Sequence, residues 1–119
     1  MKYKLEKNIK IANELVCFCY KKHGKHIEVA FSFFDGETTI KVGSYIENLT
    51  EKALKQLKES LCAERQHEVE ECFWLANGED SMGDELSLIG VMVDDAKINY
   101  EDSVLTIELK RVEVPKPEE

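Results

Sequence analysis

The sequence predicts an α+β fold: a two-layer α/β sandwich in which a mixed, mainly antiparallel sheet carries helices on one face. Three observations predict it. Apolar residues recur at threes and fours over residues 5–23, the period of a helix. Two later segments, on either side of Asp35-Gly36 and of residues 101–103, alternate apolar with polar residues around a turn, as hairpins do. That alternation gives each hairpin one dry face and one wet face, so helices are needed on a single side.

The first helix is expected from two adjoining stripes, Leu5, Ile9, Ala12, Val16, Cys19 and Ile11, Leu15, Phe18, which together make a wide buried face. Lys21, Lys22 and His23 complement the negative end of its dipole, and Gly24 is the residue expected to turn left-handed and stop it. In the first hairpin, residues 27–34 and 37–44 flank Asp35-Gly36, a pair that tolerates the positive φ angles of a two-residue turn. Setting that turn pairs Val29 with Val42, Phe31 with Ile40 and Phe33 with Thr38 on the dry face. Glu28, Ser32, Glu37, Thr39 and Lys41 fall on the wet one.

Thr50 has the side chain of an N-cap, and Leu49 and Leu54 bracket it at the spacing of a hydrophobic staple. The stripe Leu54, Leu57, Leu61 follows, lapses over residues 63–68, and resumes at Val69, Cys72, Phe73 and Leu75, which reads as two helices or one bent helix ending at Asn77-Gly78. Residues 78–83 have loop chemistry. Residues 84–93 suit either a buried helix or a buried strand, since periodicity alone does not separate them. The second hairpin, residues 96–100 and 104–109, sets Ile98 and Tyr100 on one face with Leu105, Ile107 and Leu109. One domain is expected over residues 1–112, followed by a flexible tail at 113–119 with two prolines and terminal acids.

Composition narrows the function classes. The chain has 119 residues, 43% hydrophobic and 34% charged, enough apolar side chain for a core. Sixteen basic against 24 acidic residues leave a formal charge of -8, which repels nucleic acid and anionic lipid. The longest clean apolar run, residues 88–93, falls far short of the ~20 residues that span a bilayer. The opening residues alternate charge with apolar side chains, unlike a signal peptide, so a cytoplasmic location is expected.

Four cysteines, Cys17, Cys19, Cys62 and Cys72, are therefore expected as free thiols. Cys17 and Cys19 stand about 200° apart around a helix and do not converge on one ion. His23, His26 and His67 show no ligand spacing, and no metal is expected.

The order helix, hairpin, helices, apolar segment, hairpin resembles the histidine-kinase-type (GHKL) ATPase domain, above all the anti-sigma-factor serine kinases of bacterial partner switching. The resemblance runs over about residues 9–112. Glu14-Leu15-Val16 is similar to the family's first box, residues 43–48 to the stretch after its second strand, and residues 83–98 to its glycine box, closing helix and next strand, with Asp94-Asp95-Ala96-Lys97-Ile98 the closest local match. The resemblance implies that residues 84–93 are a helix. It also implies a general base at Glu14, a magnesium-holding position at Phe18, an adenine-reading position at Gly43 or Ser44, and a phosphate cradle at Gly83.

At three of these positions the chemistry is wrong for a nucleotide. Phe18 has no oxygen for a hard cation. Neither Gly43 nor Ser44 offers a carboxylate to an amino group. Asp84 and Glu85, after Gly83, put negative charge where a triphosphate would arrive. Without its magnesium partner, Glu14 is expected to be a solvated helix-face residue, and Phe18 a core side chain.

The expected function is thus a noncatalytic regulatory module that docks a protein partner and needs no cofactor. The alternatives are an ATP-dependent serine kinase using Glu14, and a module binding a small ligand in the emptied pocket. A partner-switching component and a second copy of the chain are the candidate partners. Phe73 and Trp74, in a run of three large apolar residues that one helix face does not hold, are the expected contact residues.

Overall fold

The computed structural model describes residues 4–62, 66, 68 and 89–112. Their order is α1 (Lys4–Lys21), β1 (Lys25–Phe34), β2 (Glu37–Tyr45), α2 (Glu51–Leu61), β3 (Asp95–Glu101) and β4 (Val104–Val112). The fold is α+β, as the sequence predicts. The strands form one sheet in the order β1-β2-β4-β3, with all three pairings antiparallel.

Both hairpins turn on two residues of positive φ. Asp35 and Gly36 sit at 55° and 79°, and Asp102 and Ser103 at 52° and 64°. Such turns match the right-handed twist of the strands they join, and they fix the register of everything beyond them. The register is the expected one: Val29 opposite Val42, Phe31 opposite Ile40, Phe33 opposite Thr38, then Tyr100 opposite Leu105 and Ile98 opposite Ile107. β2 and β4, the inner strands, pair over their whole lengths from Glu37–Val112 to Tyr45–Val104.

Alternate residues of the inner strands form the dry face: Ile40 and Val42 with Leu105, Ile107 and Leu109. Against them the core gathers Ile11, Leu15 and Cys19 of α1, Leu57 and Leu61 of α2, and Ile89, Met92 and Val93. Thr50 caps α2 as expected, its hydroxyl accepting from the Ala53 amide at 3.1 Å. Leu49 and Leu54 on either side of the cap both pack on the core.

Three expectations change. α1 is rotated: Leu5 and Ile9 face solvent at 58% and 43% exposure, while Lys7, Asn8, Lys10 and Glu14 are buried. Of that stripe Leu5 and Ile9 lie outside while Ala12 and Cys19 are buried, and a polar set lies inside. The stop of α1 also differs, because His23, not Gly24, takes the left-handed conformation with φ 64°. The His23 amide donates to the Tyr20 carbonyl and the Gly24 amide to the Cys19 carbonyl at 2.8 Å, the paired bonds of a Schellman ending. Gly24 is needed for space instead, since a Cβ there would run into Ser44 Oγ and stand 2.8 Å from the Cys19 carbonyl oxygen.

The third change concerns β1. Val29, Phe31 and Phe33 have the dry-face register, yet they remain 39%, 37% and 57% exposed. β1 is the outer strand, with β2 on one side and, among the described residues, no strand on the other. The segments expected as a second helical stretch, loop and apolar helix start, and the tail at 113–119, lie outside the described residues, apart from a short helical stretch at Ile89 and Gly90.

Candidate functional site

Glu14 and Phe18 lie one turn apart on α1, as a shared role would require, but their surroundings differ from a catalytic arrangement. Glu14 is 1% exposed, and its Oε2 takes an ion pair from Lys10 Nζ at 3.1 Å, one turn earlier on the helix. The expectation of a solvated Glu14 is overturned. Spacing explains it: Lys7, Lys10 and Glu14 recur at threes and fours beside Ile11 and Leu15, so the turn that buries the apolar stripe carries them inward too. The ion pair with Lys10 fixes the orientation of the enclosed carboxylate.

Phe18 packs against the core cluster, and Lys22 Nζ stands 5.9 Å from the centre of its ring. Its expected role as core is partly met, since the side chain is half-buried.

Gly43 and Ser44 are not in a loop after the second strand. Both lie within β2, where Gly43 pairs with Glu28 on one side and Thr106 on the other. As neighbours on a strand they face opposite sides of the sheet. Ser44 is buried on the helix side, and its hydroxyl donates to the Lys25 carbonyl at 3.2 Å. Gly43 lies on the far side with Lys41. Only Ser44, then, shares a layer with Glu14. Even so, Cys19, the α1 residue hydrogen-bonded with Ser44, lies five residues from Glu14, about 7.5 Å along the axis and about 140° around it.

Burial pushes the Cys19 thiol up to about 11, and its hydrogen bond with Ser44 pulls weakly the other way. Such a thiol is a packing residue rather than a nucleophile. Cys17 is half-buried, Cys62 is exposed, and among the described residues no cluster of histidine, cysteine or carboxylate suits a metal ion. Gly83, Glu85, Phe73, Trp74 and Cys72 lie outside the described residues.

Sequence reasoning missed a buried polar layer under the first half of α1. Lys7, Asn8, Lys10, Thr38 and Arg111 are each 5% exposed or less, and Thr38 pairs with Arg111 across β2 and β4. The signal for Arg111 was present. Alternation through Leu105, Ile107 and Leu109 carries position 111 to the dry face, where an arginine is legible as a buried cation.

Sequence reasoning missed a cavity as well. It measures about 550 Å³ and opens between the C-terminal turn of α1 and the start of α2, lined by Lys21, Lys22, His23, Lys25, Asn48 and Thr50 among others. Glu47 on its rim takes an ion pair from Lys25 at 3.4 Å, with both side chains exposed. In an acidic chain this is a local concentration of positive charge. No helix of the described residues is long and apolar enough to cross a membrane.

Comparison of the sequence with protein-family models and with curated proteins finds no match.

Proposed function

We propose that this chain is a noncatalytic regulatory module, a histidine-kinase-like sandwich that acts by docking another protein and not by turning over ATP. The observation that carries the reading is the enclosure of Glu14. A general base must reach the proton it removes and must exchange with solvent or substrate. Glu14 instead spends its charge on Lys10 inside the protein. The rest of the candidate pocket agrees. Phe18 brings a hydrocarbon where a magnesium ligand would stand, Ser44 commits its hydroxyl within the fold, and Gly43 faces away from α1.

Titrating the full chain with magnesium ATP in a calorimeter tests this reading. No heat of binding is expected. A one-site isotherm would support the serine-kinase alternative.

The lysine-rimmed cavity favours a second reading, a module for a small anionic ligand. Lys21, Lys22 and Lys25 with the capped start of α2 would supply the positive field for it.

A further inference from the structure

The two outer strands of the sheet are built differently. β3 carries Asp95, Lys97, Asn99 and Glu101 at its exposed positions, and such charged and polar groups discourage a further strand from pairing. β1 has such groups only at its start, where Lys25, His26 and Glu28 are exposed and the register shifts between Lys25 and Glu28. Residues 29–34 hold no charge, no proline and no glycine, and every one of them is exposed. Phe31 and Phe33 lie parallel within 2° at 6.2 Å between ring centres, making a flat apolar surface beside the open backbone edge.

The uncovered parts of Val29, Phe31 and Phe33 come to about 250 Å². Phe34, 82% exposed, and the paired backbone add to this, giving an interface of the smaller class, below ~1,200 Å² in total.

Charge says what fits there. β1 starts at a basic corner, with Lys21, Lys22 and Lys25, and ends at an acidic turn holding Asp35 and Glu37. Antiparallel pairing of β1 with itself about a two-fold axis near Phe31 sets the basic end of each copy against the acidic end of the other. It also lays Val29 and Phe33 against each other, and it keeps Glu28 away from its own symmetry mate. Lys25 is not committed elsewhere by a strong bond, because its pair with Glu47 is solvent-exposed on both sides.

We propose that β1 docks antiparallel on β1 of a second copy, joining two four-stranded sheets into one and covering the exposed aromatic face. The inference is independent of whether the chain binds nucleotide, since none of these residues belongs to the candidate pocket around Glu14.

Sedimentation of the full chain tests it. The expected mass at about 100 μM is twice the 13.7 kDa of one chain, a concentration well above the micromolar end of such interfaces. Phe33→Lys should weaken association at least tenfold with the circular dichroism unchanged. Asn99→Lys on the opposite edge should leave the dimer intact. Should Phe33→Lys not fold, the charge pair decides: Lys25→Glu should weaken the dimer, and adding Glu37→Lys should restore it. A monomeric wild type at that concentration overturns the proposal, whether another protein or another part of this chain covers β1. So does a Phe33→Lys dimer as tight as wild type, or a Lys25→Glu defect that Glu37→Lys does not repair.

Discussion

The hydroxyl of Tyr100 donates to the carbonyl oxygen of Ile46 at 2.6 Å, tying the outer strand β3 to the chain just beyond β2, 54 residues earlier. The Tyr100 hydroxyl oxygen accepts from the Leu49 amide at 3.3 Å, and the Ile46 amide donates to the Ser103 carbonyl at 2.8 Å. One phenol thus holds the bend that delivers the chain to the cap of α2. The start of that helix, and with it one wall of the lysine-rimmed cavity, is positioned by the second hairpin.

Tyr100→Phe keeps the ring packing and removes both bonds. Each bond is worth about 1 kcal/mol net, and the carbonyl of Ile46 is left to find water. We expect a loss of about 1–2 kcal/mol in urea denaturation and faster hydrogen exchange at Leu49. An unchanged exchange rate there would mean that the bend holds itself.

The Lys10–Glu14 pair predicts an asymmetric response. Removing one partner takes the 3.1 Å ion pair from a buried charge, so Lys10→Met should cost about 3–5 kcal/mol. Replacing both, with Lys10→Met and Glu14→Leu, should recover much of that loss. Chemical denaturation of the two variants checks this, and a cost below about 0.5 kcal/mol for Lys10→Met would place the pair in solvent.

Cys19 predicts a stability loss at high pH. Its folded value of about 11 lies above the 9.0 of a free thiol, so between these values the unfolded chain has given up a proton that the folded chain retains. Stability is fully present below pH 9 and falls as pH rises towards 11, by about 2–3 kcal/mol in all. Cys19→Ala should flatten that limb of the pH profile. Alkylation of the native protein at pH 8 should reach Cys62 well before Cys19.

The sheet was legible because its information is local. Asp35-Gly36 fixes a turn, the turn fixes the register, and Phe31 opposite Ile40 follows without reference to anything distant. Burial was less legible because it depends on what packs where. Periodicity showed that α1 has a stripe at Leu5 and Ile9 and another at Ile11 and Leu15, but only the position of the sheet selects which faces inward. Likewise the alternation of β1 identifies a dry-side register without showing that an outer strand lacks cover. For the candidate site, Glu14 was found and its environment was not. Lys10 is an ordinary surface residue in any pattern until the helix is rotated to bury it.

The most direct test of the account is the urea midpoint of the full chain with and without magnesium ATP. A ligand held by the native state at 100 times its dissociation constant adds about 2.7 kcal/mol of stability. With Glu14 closed in its ion pair, Phe18 packed on the core and Gly43 on the far face of the sheet, the account predicts no change in midpoint at millimolar nucleotide. A midpoint raised in proportion to nucleotide concentration would contradict it.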